Sequence, residues 1–127
     1  MIDPIPNVIR VLKEAYPSYK PSLGTGLVTL TGEKACTVSA SAQPVTAGGE
    51  ITRWIIDVAV YDMDRGRAMR TSADMLTTVT EAADTGELGI SSWSMVTMPS
   101  LIPSSVASQA HAVVEFTIQC YSKFGRN

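Results

Sequence analysis

The chain is short of ionic side chains, and the shortage is localised. Charged residues make up 17% of its 127 positions, against about 25% in ordinary soluble domains. Residues 88–114 contain no Asp, Glu, Lys or Arg, and neither do residues 35–49. Ten basic residues against 12 acidic ones leave a net charge of −2 with no basic patch, which argues against sequence-independent binding to nucleic-acid phosphates. With one histidine and two cysteines, the sequence lacks the clustered ligands that a zinc site needs. Cys36 and Cys120 fall in strand-like segments and are read as buried thiols of a reducing cytoplasm in preference to a disulfide. No apolar run approaches the roughly 20 residues of a membrane helix. The stretch "MIDPIPNVIR" has an early acid and no cationic lead, unlike a secretory signal. Aromatics are scarce at 6%, yet hydrophobic residues reach 45%, a globular composition and not a disordered one. The length fits a single domain, 1–127.

Periodicity supplies the elements. Asp3 is an expected N-cap with Pro4 at the first helical position. Ile5, Val8, Ile9 and Leu12 then form an i, i+3, i+4, i+7 stripe, and Pro17 stops the helix after Tyr16. "PSYKPSLGTG" reads as loop. Short strands are expected at 27–30 and 35–42, then a loop, "QPVTAGGE", in which Gly48 and Gly49 allow a tight reversal. The strongest strand is 51–61. Trp54, Ile56, Val58 and Val60 share one apolar face, which should sit on the helices, while Arg53, Ile55, Asp57, Ala59 and Tyr61 share the other. A helix over about 65–83 shows a stripe of Met69, Ala73, Leu76, Val79 and Ala83, widened by Ala68, Met75 and Ala82, with Gly86 as its stop. Strands at 90–98 and 112–121 complete the set, the second with Val114, Phe116, Ile118 and Cys120 on one face. The order α-β-β-β-α-β-β predicts an α+β fold, a mostly antiparallel sheet of about five strands with both helices on one face.

Chemistry is harder to find. "VAVYDMDRG" places Asp62 and Asp64 after an apolar strand, where haloacid-dehalogenase-type phosphatases keep a nucleophile and a proton carrier. Those enzymes need a downstream lysine and further carboxylates. Here the one lysine after Asp64 is Lys123, and no acidic pair follows. An EF-hand also fails, because the glycine comes one position early and the twelfth position is Ala73. Both aspartates are therefore expected to start the next helix, accepting its free N–H groups and offsetting Arg65, Arg67 and Arg70 in its positive end. His111 has no carboxylate or cysteine beside it in sequence. No serine lies in a G-x-S-x-G elbow, and "GTG" at 24–26 is too short for a phosphate loop. The expectation is no catalytic residue, no cofactor, no metal and no enzyme.

The Pro/Ser stretch "MPSLIPSSVASQAH" reads as a loop carrying Leu101, Ile102 and Val106. Loops run over surfaces, and charge-poor surface bearing aliphatic side chains is usually covered by a partner. We expect subunit or partner contacts at Leu101, Ile102 and Val106, and at Val45 in "SAQPVTAGG". The alternative is that the loop folds back on its own core.

Taken together, the helix "IPNVIRVLKEAYP", the strand-to-helix unit "TAGGEITRWIIDVAVYDMDRGRAMRTSADMLTTV" and the closing strand "AVVEFTIQCYSK" make the chain resemble the tail-terminator (tail-completion) proteins of long-tailed bacteriophages. The glycine pair before the strand and the helix opening "DMDRGRAM" are the local features that carry this likeness. The resemblance implies a virion protein, made in the host cytoplasm, that closes into a hexameric ring on the tail tube. Such a ring stops tube polymerisation and presents the surface for a head-completion or connector protein, while DNA passes through its lumen without sequence-specific binding. The rival inside the same assembly is another neck component, a head-closure or connector protein. The rival from a different class is a hydrolase using Asp62 and Asp64; a small-molecule binding module has no feature in its favour.

Overall fold

A proline and an aspartate open the first helix. In the computed structural model, which describes residues 3–24, 34–45, 51–90, 92–102 and 111–123, α1 spans Ile5–Ala15 with Pro4 at its N-cap. The Asp3 carboxylate accepts the Ile5 N–H at 2.9 Å, taking one of the donors that a helix start leaves unpaired. Ile5, Val8, Val11 and Leu12 are its buried side chains. Beyond Tyr16 the stretch expected to be loop is more ordered. A 3-10 turn, Pro17–Tyr19, leads through Lys20 at φ 48 into β1, Ser22–Leu23. The strand expected at 27–30, the glycine reversal at Gly48 and Gly49, and most of the Pro/Ser loop lie outside the described residues.

Then follow β2 (Lys34–Pro44), β3 (Ile51–Asp62), α2 (Arg65–Asp84), β4 (Ser92–Leu101) and β5 (Ala112–Lys123). The sheet order is β1-β2-β3-β5-β4; β1 runs parallel to β2 and every other pairing is antiparallel. This is an α+β architecture with a mixed, largely antiparallel sheet. α2 packs across β3, β4 and β5, while α1 packs on α2 and β2. Trp54, Ile56, Val58 and Val60 of β3 face the helices together with Phe116, Ile118 and Cys120 of β5 and Cys36 and Val38 of β2. Alternation along a strand places every second side chain on one face, so a single apolar pattern in β3 specifies the core side of the whole sheet.

Two expected features need correction. The inward stripe of α2 is Ala68, Ser72, Met75, Val79, Ala82 and Ala83, whereas Met69 is exposed. The helix thus buries the flank of Ala68, Met75 and Ala82 that widens the expected stripe, with Ser72 in its middle. The Ser72 hydroxyl finds no hydrogen-bond partner among the described residues, and an unpaired buried hydroxyl is costly. Ser72→Ala is accordingly expected to raise stability by about 1 kcal/mol, read as a higher urea midpoint at unchanged slope; a lower midpoint would show that the hydroxyl is paired after all.

The second correction concerns β4. It runs from Ser92 through Leu101 and not over 90–98, so Pro99 and Leu101 are strand residues. The ladder with β5 absorbs the proline through register shifts on either side of Thr97, as bulges allow on an edge strand.

Candidate functional site

The two aspartates of "VAVYDMDRG" have different jobs. Asp64 is the N-cap of α2, its Oδ1 accepting the Arg67 N–H at 3.0 Å. Asp62 is not a cap. It is the last residue of β3, its side chain has no exposed surface, and it accepts four hydrogen bonds. Arg67 donates Nε to Oδ2 at 2.8 Å and Nη2 to Oδ1 at 2.7 Å. The Tyr19 hydroxyl donates to Oδ2 at 2.6 Å, and the Asp64 N–H to Oδ1 at 2.9 Å. An ionised carboxylate offers about four acceptor positions, and these donors fill them. Burial pushes the carboxyl up, but the bonds from Arg67, Tyr19 and the Asp64 amide win and hold it at about 2. No lone pair is left for phosphorus or a cation.

The network is a knot in the fold. Tyr19 also shares a 3.0 Å hydrogen bond with Thr71 of α2, and Lys34 at the start of β2 lies over its ring, 5.2 Å from the centroid, within cation–π reach. One buried carboxylate thereby joins the 3-10 turn, the end of β3 and the first turns of α2. Sequence reasoning found Asp62 and Arg67 but missed Tyr19, 43 residues away, which carries no local signal.

The remaining chemical candidates are scattered. His111 is half-buried immediately before β5. Cys36 and Cys120 are both free and buried, and burial pushes each thiol up to about 12. They lie at levels six residues apart along β3, opposite Val60 and Trp54, roughly 20 Å at strand spacing. Among the described residues no three His, Cys, Asp or Glu side chains come close enough to share a metal ion. On the sheet face away from the helices, Asp57 accepts from the Thr117 hydroxyl, and burial together with the Asp57 charge raises the Glu115 carboxyl. That pair stands on adjacent strands of the outward sheet face, Asp57 opposite Thr117 and Glu115 opposite Ala59. A hollow of ≈ 260 Å³ between α1 and α2 is lined by Val11, Thr78, Glu81, Ala82, Thr85 and Glu87, a set with no nucleophile activated by a base.

What the surface does offer is an apolar strip. Val96, Met98 and Leu101 of β4 are 49%, 65% and 36% exposed, in a strand without one ionic side chain. Leu101 thus lies where a partner can reach it. Ile102 is less open: its N–H donates to the Val113 carbonyl at 2.8 Å, and its side chain, partly buried, packs on a small cluster of Ala59, Tyr61 and Val113 on the outward face of the sheet. Ile102 is thus partly folded back on the sheet, while part of its side chain still meets solvent. Val45 is 52% exposed just beyond β2, at the opposite end of the sheet from Leu101, so the two do not form one patch. Val106 is outside the described residues. Val96 and Met98 were hidden in the sequence because the bulges break the alternation that would have marked them.

No family model matches the chain, and no curated protein matches it.

Proposed function

We propose that this chain is a structural subunit of a bacteriophage tail that closes into a ring, hexameric in the family it resembles, on the end of the tail tube. The ring ends tube polymerisation and offers the surface to which a head-completion or connector protein attaches. DNA passes through its lumen without base-specific contacts. The protein is made in the host cytoplasm, resides at the virion neck, and catalyses nothing.

The observation that carries this reading is the β4 strip. Single exposed hydrophobic residues are ordinary, but three within six positions of an edge strand, in a segment without charge, are a surface built to be covered. Stacking on the tube end gives such a surface a partner, and ring closure, one heterologous contact repeated about an axis, keeps the subunits from growing into open fibres. The fully occupied Asp62 removes the feature that most favoured a hydrolase.

Electron microscopy of particles made without the protein tests the proposal. Overlong or headless tails are the expected result. Tails of normal length on leaking heads would assign the chain to head closure instead.

A further inference from the structure

Among the described residues, each edge of the sheet is guarded over one half of its length and unpaired over the other. β1 covers β2 at Thr37 and Val38, and the Gly24 N–H reaches the Val38 carbonyl. Backbone groups alternate in direction along a strand, so the next outward-pointing ones on β2 belong to Ala40, Ala42 and Pro44, the proline offering its carbonyl alone. Residues 40–44 are all exposed, and no described strand pairs with them on that side. On the far edge, the second half of β4 carries Pro99 and two register shifts, devices that discourage strand pairing. Its first half has none of these: residues 92–95 pair one for one with β5.

The two open halves lie at the same end of the sheet. Ala42 is opposite Trp54, Trp54 opposite Cys120, and Cys120 opposite Trp93; two residues along, Ala40, Ile56, Ile118 and Met95 make the parallel row. The guarded halves match as well, through Ser22, Thr37, Ala59, Glu115 and Ser100. Neither open segment contains an ionic side chain. β2 and β4 run in opposite directions across the sheet. A sheet continued into a second copy, helices on the same side, therefore brings β4 against β2 in the antiparallel sense, the better hydrogen-bonded arrangement.

We infer that residues 92–95 of one copy pair edge to edge with residues 40–44 of the next, so that a single sheet runs through successive subunits. The inference rests on the ring reading for its repeat and deepens it by naming the contact. The occupant is a second copy because the chain itself supplies both halves of the junction, level with one another and equally free of charge. The contact is heterologous, as closure requires. It is also short, so it holds two free copies weakly and gains strength only when the ring closes or the tube gathers the subunits. The bulged half of β4, with Val96, Met98 and Leu101, stays clear of the junction and free for the tube.

Cysteine crosslinking tests it. Ser41 and Ser94 lie opposite Ile55 and Gln119, on the sheet face away from the helices, and meet when two copies join in level register. A Ser41→Cys, Ser94→Cys double variant oxidised in the purified assembly should give a ladder of covalent oligomers on a non-reducing gel. Either substitution alone should give none. Ser41→Cys with Ser92→Cys covers a two-residue slip, and the native thiols, both buried, do not compete. Dimers from either single variant would overturn the inference by showing like edges meeting. Rings visible by electron microscopy without a ladder from either double variant would also overturn it, while leaving the ring reading intact. A ladder from a protein whose loss leaves tail length unchanged would keep the junction and sink the tail-capping reading. Neither ring nor ladder would overturn both.

Discussion

Asp62→Ala is expected to remove about 3 kcal/mol of stability, whereas Asp64→Ala removes about 1. The contrast follows from what each carboxylate does. Asp64 accepts one exposed helix N–H, which water can replace. Asp62 is buried and satisfies Arg67, Tyr19 and the Asp64 amide together. Removing it leaves the buried Tyr19 hydroxyl with Thr71 alone and strands an arginine head; because the Arg67 side chain is 39% exposed, part of its cost is recovered by hydration, which keeps the figure at the low end for a broken buried pair. For a chain of this size the loss corresponds to roughly 10 °C in Tm. Urea unfolding of the two variants decides the matter, and equal losses would mean that the Asp62 network holds nothing together.

The same carboxylate sets an acid limb. Its folded value of about 2 lies below the ordinary 3.8, so the unfolded chain binds more protons in that interval and stability rises with pH across it. The contribution is complete above about pH 4, falls as pH drops, and is gone near 2, a loss of roughly 2 kcal/mol. Asp62→Ala should lack this part of the slope.

Leu101→Asp should leave the fold untouched and abolish tail capping. The side chain already meets solvent, so its urea midpoint should stay within about 0.5 kcal/mol of wild type, while phage made with the variant carry overlong tails. Ile102→Asp, one residue on, should behave in the opposite order. It places a charge on the Ala59, Tyr61 and Val113 cluster and should cost about 2 kcal/mol. Unfolding of Leu101→Asp would reassign that leucine to the core and withdraw it from the proposed contact surface.

How much of this was legible before the coordinates follows from where the signals were local. The face of β3 that meets the helices could be read from Trp54, Ile56, Val58 and Val60, since a period of two needs nothing beyond the strand itself. The order of elements from β2 to β5 and the end of α2 near Gly86, at φ 83, were visible from similarly local signals, whereas β1 lies in a stretch read as loop. The buried face of α2 was legible in part: Ala68, Met75, Val79, Ala82 and Ala83 carry an apolar signal, but Ser72 sits among them and a search for apolar residues steps around a serine. β4 was cut short at its proline, although an edge strand with bulges accommodates one. The Asp62 knot depends on Tyr19, which reaches it only after the chain has folded back, and no spacing rule connects the two. The open strand edges were invisible in principle: an edge is a property of pairing, and pairing is decided by the whole sheet.

The order β1-β2-β3-β5-β4 also bears on synthesis. The two central strands come from opposite sides of α2, so a nascent chain that has emerged only as far as α2 presents β3 with one long flank unpaired and its apolar face half covered. Such an intermediate is adhesive. Co-translational protection, by a holdase or by slow release, matters most in the interval between the appearance of β3 and the arrival of β5.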